Sequence, residues 1–363
     1  MKTNILNGAL LIATLALSMW AATLPGGVPT VVPTQGGAAD APEVGATEVV
    51  DARGVPVPVA PYQRIVSLST ISDHALLELV EPERIVAITE YTARHPVAWR
   101  FGDRPTISSS GALESVLSLR PDLVVVTLYA DEAYLARLRE NGVQVFDLGD
   151  MRGVRTTRAS IRALGALLEV RGRAAALERS YDRELAALDA MVPDDELVPG
   201  IYLSVYGDTF FGATANTSYA DTLHLGGVFD LAAERGFKDW PQYTAEQLLE
   251  LNPPLIVTLE GMGSVIRSHA LLSTLKACGP DGRIVEIDGA FNGDAGLGIV
   301  EAAHQVLSRV HPGRVRPAAE VPTSADAVNT AAPDASGPSA AAPNTAASNS
   351  AASDSAALNK GGR

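Results

Sequence analysis

From Arg64 to Asp288, short runs of β-branched residues alternate with stretches whose apolar positions recur every three or four residues. RIVSLS (64–69), RIVAIT (84–89), DLVVVTL (122–128) and VQVFDL (143–148) predict strands, with helices between them through Ala75, Leu76 and Leu79 and through Leu135 and Leu138. A further helical stretch runs through Leu168, and a break is expected at Gly172. From 173 to 191, Leu177, Tyr181, Leu185 and Leu188 fall at spacings of three and four, one face of an amphipathic helix about 28 Å long at 1.5 Å per residue. GIYLSVY (200–206), PLIVTL (254–259) and RIVEID (283–288) then repeat the strand pattern. Strands alternating with helices predict an α/β fold with parallel sheets.

Two segments match in detail. Glu114, Leu117, Leu119, Pro121 and Leu123 recur as Glu246, Leu249, Leu251, Pro253 and Leu255, a pattern E-x-x-L-x-L-x-P-x-L repeated 132 residues later. The first leucines are expected to turn a short helix onto a sheet, the proline to end it, and the apolar run to form a buried strand. One such unit means little, but two copies flanking one long helix predict two similar lobes. The expected boundaries are 47–172 for the first lobe, 173–192 for the lobe-spanning helix and 193–312 for the second lobe.

The ends differ from the middle. Residues 1–23 carry Lys2, an apolar run from Ile5 to Ala22 and small residues, the order of a secretory signal; an uncleaved apolar anchor is the alternative. Either places the rest of the chain outside the cytoplasm. Residues 24–46, rich in Pro, Gly, Val and Ala, suit a flexible tether, and TEVVDARGVPVPV (47–59) predicts two short strands around the turn 51–54. The segment 313–363 is mostly Ala, Ser, Pro and Asn and is expected to be a disordered tail.

Composition narrows the function. Hydrophobic residues make up 47% of the chain, enough for a globular core, while a net charge of −14 argues against nucleic acid or anionic lipid as the main partner. Charges in the tail cancel, with Arg314, Arg316, Lys360 and Arg363 set against Glu320, Asp326, Asp334 and Asp354, so the acidity belongs to the folded body. Cys278 is the single cysteine, which excludes an intramolecular disulfide and suits a small buried apolar residue.

Five stretches, in this order and spacing, resemble the cobalamin- and iron-siderophore-type periplasmic binding proteins of ABC importers: VVDARGVPVPVAPYQRIVSLS, ALESVLSLRPDLVVV, LGGVFDLA, DWPQYTAEQLLELNPPLIV and GRIVEID. The resemblance runs from Glu48 to about Leu307. It implies two similar α/β lobes joined by one rigid helix, with a ligand held in the cleft between them. It also implies a monomeric receptor that captures an iron complex (a siderophore or haem) or cobalamin and delivers it to a membrane permease. No resident cofactor is expected, since iron or cobalt would belong to the transported ligand. In the family a glutamate on each lobe pairs with permease arginines, and those positions fall on Glu114 and Glu246. An acidic residue in a first helical turn also gains about 0.3–1 kcal/mol from the helix dipole and needs no partner, and Thr244 with Gln247 suits a capping box beside Glu246.

Ligands of open α/β sheets bind beyond the carboxyl ends of the strands. The expected ligand-binding residues are therefore Ser69, Tyr91 and Tyr129 from the first lobe, with Tyr206, Phe211, Trp240 and Met262 from the second. Phe210 and Phe211 are equally suited to plugging the lobe core. The histidines lack paired ligand spacing, so a bare zinc or manganese receptor of the same fold would rest on His74 and His95. Tyr91 or His95 could instead ligate a haem iron. Arg235 and Arg267 are the evident second-lobe cations, too few for a highly anionic siderophore. An exported α/β enzyme is the reading of another class; no G-x-S-x-G, phosphate loop, H-E-x-x-H or dinucleotide fingerprint supports it, and no enzyme is expected. A tethered surface adhesion protein would use the two flexible ends but leave the duplicated lobes unexplained.

Overall fold

The computed structural model describes residues 46–108, 113–127, 130–292 and 294–314. The expected signal, nearly all of the tether and tail, and Tyr129 lie outside the described residues. An antiparallel hairpin of β1 (Glu48–Val50) and β2 (Pro56–Pro58) opens the described chain, around the turn expected at 51–54. It is followed by β3 (Ile65–Ser67), α1 (Thr70–Leu79), β4 (Ile85–Thr89), β5 (Thr106–Ile107), α2 (Leu113–Ser118), β6 (Leu123–Val126), α3 (Glu132–Glu140) and β7 (Gln144–Asp147). These strands form one parallel sheet in the order β5-β4-β3-β6-β7.

Two helices come next, α4 (Val154–Leu167) and α5 (Arg171–Asp189). The second half adds β8 (Val198–Tyr206), β9 (Thr209–Ala213), α6 (Ser218–Leu225), β10 (Val228–Asp230), α7 (Leu231–Glu234), β11 (Gln242–Tyr243), α8 (Ala245–Leu251) and β12 (Leu255–Leu259). It closes with α9 (Met262–Ser268), β13 (Arg283–Ile287), α10 (Gly289–Asn292) and α11 (Ile299–Val310). Here the order is β11-β9-β8-β12-β13, with β10 also beside β8. Strands β8, β12, β13 and β10 run parallel; β9 runs antiparallel to β8, and β11 pairs antiparallel with β9.

Each sheet is covered on both faces, which is why its central strands read as unbroken apolar runs. In β6, Leu123 and Val125 join one buried cluster while Val124 and Val126 join another. In β12, Ile256 faces one cluster, and Leu255 and Val257 face the other. The long helix α5 buries Tyr181, Leu185 and Leu188, as its spacing predicts, and packs on α1 and α4 of the first half and on α6 and α11 of the second. The Tyr181 hydroxyl donates to the Gly296 carbonyl at 3.2 Å.

Two expectations are corrected. The break before α5 falls at Leu168–Val170, where Glu169 takes φ 59°, and Gly172 lies inside the first turn of α5. The glycine this corner requires is Gly165, because a Cβ there would stand 2.2 Å from Ala174 Cβ where α4 and α5 touch. The repeated motif also buries a different position. Leu117 is half-buried and Leu249 is 48% exposed, whereas the preceding Val116 and Leu248 are fully buried. Helix α2 turns Leu113 and Val116 inward and α8 turns Leu248 inward, so in both copies the buried residue of the repeat is the one before the motif leucine.

Candidate functional site

The two halves meet through segments that leave the carboxyl ends of parallel strands. On the first side β3 leads into α1, whose N-cap is Ser69: its Oγ accepts from the Ser72 N–H at 3.1 Å and contacts Ser72 Oγ at 2.7 Å. Ser69 is thus engaged in starting the helix that carries Asp73 and His74. Asp73 is fully buried, and its Oδ2 accepts from the Thr89 N–H at 3.0 Å and Thr89 Oγ1 at 2.8 Å, which ties α1 to the end of β4. Burial pushes the Asp73 carboxyl up to about 6, against the hydrogen bonds that favour its charge.

Strand β4 continues through half-buried Tyr91 and a 3-10 turn (Thr92–Arg94) to His95, which is buried. The His74 and His95 rings stand 4.2 Å apart between centroids. From the other side, the segment that follows β13 supplies Phe291, edge-on to His95 at 4.6 Å, and Asp294, whose Oδ2 lies 2.6 Å from His74 Nδ1. Asp294 also accepts from the Gly296 N–H at 2.8 Å and the Gly298 N–H at 3.1 Å. A Cβ at Gly298 would stand 2.6 Å from the carboxylate, so that approach needs glycine.

The electrostatics follow from this geometry. Burial opposes the Asp294 charge, but the His74 hydrogen bond and charge, the Gly296 N–H and His95 together hold its carboxyl below the ordinary range. Burial first, and then the His74 charge, push His95 down to about 4, so its ring is neutral at neutral pH. The Nε2 atoms of both imidazoles are buried and have no hydrogen-bond partner among the described residues. Among the described residues, His74, His95 and Asp294 form a group able to hold a metal ion, each with a ligand atom within 4.8 Å of the others.

A second set of contacts joins the halves beside this cluster. Arg152, just after β7, pairs with Asp150 and Asp239, and its guanidinium lies 5.1 Å from the centroid of the Trp240 ring. The Val154 N–H donates to Asp221 at 2.8 Å. Trp240, expected at a ligand, is engaged by Arg152 and packs on the core of the second sheet. Tyr206 and Phe211 form a ring pair at 5.8 Å at the β8–β9 hairpin, while Phe210 points the opposite way into the core. Met262 opens α9 and packs on that same core.

The structure therefore brings His74 and His95 together, which chain order did not show, and adds Phe291 and Asp294, which were not anticipated. The Asp294-x-Gly296-x-Gly298 spacing carried a signal, since a carboxylate can accept from amides two and four residues on where glycine leaves room. Trp99 was also missed; it is 77% exposed on the turn after His95. Glu114 and Glu246 are exposed in the first turns of α2 and α8, and the Thr244–Gln247 capping box is present beside Glu246. No helix among the described residues is long and apolar enough to cross a membrane.

Comparisons with known proteins agree with this architecture. The chain is 22% identical over 208 residues to an uncharacterized ABC transporter substrate-binding lipoprotein, YvrC, of Bacillus subtilis; the match covers 55% of this chain and 65% of that protein. Among solved structures, a possible iron-binding periplasmic solute-binding protein from Staphylococcus epidermidis is 18% identical with a TM-score of 0.61, covering 69% of this chain and 100% of the other. The periplasmic haem-binding protein HutB of Vibrio cholerae is 20% identical with a TM-score of 0.60, over 69% of this chain and 99% of that one. These likenesses show the shared two-lobed α/β fold. The family model described as periplasmic binding protein matches residues 65–288, and the chain belongs to that family.

Proposed function

We propose that this chain is the extracytoplasmic solute-binding subunit of an ABC importer, capturing an iron complex, haem or a ferric siderophore, or the cobalt complex cobalamin, between its lobes. The observation that carries this reading is the junction itself. Segments leaving the carboxyl ends of β4 and β13 meet there and place metal-ligating and ring side chains from both halves at one locus. Exposed Trp99 and half-buried Tyr91 lie on the first-lobe segment, and the Tyr206–Phe211 pair lies at the carboxyl end of β8. Rings in such positions suit a broad, flat or bulky ligand. Several structurally similar proteins are named for haem or iron binding, which supports a metal-bearing ligand.

Delivery would use the exposed carboxylates of Glu114 and Glu246, one on each repeated unit, against cations of the permease. The secretory-signal pattern of residues 1–23 and the acidic body fit this assignment. The test is ligand-dependent thermal stabilisation of the full chain with haem, several ferric siderophores and cobalamin. A ligand that binds only the folded state at a hundred times its Kd adds about 2.7 kcal/mol. A clear rise in Tm with one of these ligands is expected, and haem would also bring its own absorbance. Unchanged Tm with all of them would overturn the ligand class and leave the fold standing.

A further inference from the structure

Two buried imidazoles, His74 and His95, stand in contact with their ring centroids 4.2 Å apart. His74 and His95 are each more than nine-tenths buried, and neither Nε2 atom has a partner among the described residues. A buried polar nitrogen left without a partner is destabilising, so a pair of them at one locus calls for an occupant. We propose that His74 and His95 hold one divalent transition-metal ion of the Zn2+ class through Nε2, with Asp294 as the positioning residue. The site joins the two lobes, and the inference does not rest on the identity of the cargo.

Three observations converge on it. Asp294 Oδ2 accepts from His74 Nδ1 at 2.6 Å, which sets the tautomer with a free lone pair on Nε2. Metal-binding histidines commonly donate their other ring N–H to a carboxylate in this way. Asp294 is itself fixed by the Gly296 and Gly298 amides, so the imidazole is held in place before an ion arrives. His74, His95 and Asp294 each offer a ligand atom within 4.8 Å of the others.

His95 requires one adjustment. Its Nδ1 accepts from the Val97 N–H at 3.3 Å, a long contact. On binding, the proton moves from Nε2 to Nδ1 and that contact is given up. Neutral imidazoles suit Zn2+, Cu2+ and Ni2+ better than Mg2+ or Ca2+, which take oxygen ligands. Two protein ligands leave the other positions to water, so the ion is exchangeable and is removed by a chelator.

The full chain, stripped with EDTA, is titrated with Zn2+ against a chromophoric chelator. One equivalent is expected to bind. H74Q and H95Q should each weaken binding tenfold or more. D294N should weaken it by about 10–100-fold, because an amide donating to Nδ1 puts the proton on Nε2. Should a buried variant fail to fold, imidazole 15N shifts of the wild-type protein decide the matter, since Zn2+ should move the His74 and His95 Nε2 signals. Zn2+ uptake that leaves these two signals unmoved, wild-type affinity in folded H74Q or H95Q, or no uptake at all would overturn the site. Haem uptake, followed separately by absorbance, can fail in the wild type without touching this result.

Discussion

The two sheets are built on one plan and diverge at one point. Strands β3, β6 and β7 of the first correspond in neighbour order to β8, β12 and β13 of the second, and the helix-proline-strand unit precedes the matched strands β6 and β12. After β3 the first lobe crosses over through α1 to parallel β4, whereas β8 turns back at Gly207 (φ 60°) into antiparallel β9. The crossover sets a helix beyond the end of a strand, and with it Asp73 and His74. The hairpin sets only side chains of a strand there, among them Phe211 and Tyr206. Both imidazoles of the junction thus come from the first lobe, and the second contributes a carboxylate and a ring from the segment after β13. Equivalent scaffolds therefore supply unlike chemistry, because side-chain placement depends on the connection more than on the strand.

The strongest test of the shared plan concerns its outer faces. Glu114 and Glu246 occupy matched, exposed positions, so reversing both charges (E114K with E246K) should reduce transport in cells by on the order of tenfold or more, as charge complementarity with a partner is replaced by repulsion. Ligand affinity and Tm should stay near wild type, since neither residue is buried. Equal losses of affinity and transport would move these glutamates from the permease surface into the cleft. If either single reversal gives the whole loss, the two lobes are unequal in docking as well as in chemistry.

A smaller effect separates the motif from the packing. Leu248 is fully buried and Leu249 is 48% exposed. L248A should cost about 2–5 kcal/mol and L249A less than about 1 kcal/mol in urea denaturation. The opposite ranking would restore the motif leucine as the inward residue and would mean that α8 is rotated about its axis.

This case also shows where sequence was informative. Strands β4, β6 and β12 are runs rich in β-branched residues and buried on both faces, so their pattern is plain in the sequence. Helix α5 has one buried stripe, and its spacing was equally plain. Two-residue strands such as β5 and β11 carry no period. The Phe210–Phe211 pair read as a loop or a plug because period-2 splitting shows only once β9 is paired to β8. The His74–Asp294 pair joins residues 220 positions apart, and spacing along the chain says nothing about such a contact. The sequence offers His74 and His95 together as candidate metal ligands, without a third. What makes them a site is the ring contact, the Asp294 carboxylate on His74 and the missing Nε2 partners among the described residues, all of them tertiary facts.

The finest test of the repeat lies in its backbone. Arg120 and Asn252 precede the two motif prolines and both have positive φ, 49° and 37°. A residue before proline is disfavoured in the right-handed helical region, so each short helix ends by stepping to the left-handed side. That conformation costs an ordinary L-residue roughly 1–2 kcal/mol and costs asparagine less. The second lobe has the better residue, and it adds a bond from the Lys276 N–H to Asn252 Oδ1 at 2.9 Å. Arg120 is exposed, and the contacts at this corner that use its backbone, Arg120 N–H to Leu117 O and Arg64 Nε to Arg120 O, survive a change of side chain. R120N should therefore raise stability by a few tenths to about 1 kcal/mol, read as a higher urea midpoint at unchanged slope. N252R should lower it by more than R120N raises it, because it restores the strain and also removes the Lys276 bond. If R120N proves neutral or destabilising, the two helix ends share a shape without sharing its cause, and the first lobe holds its turn by the Arg64 contact instead.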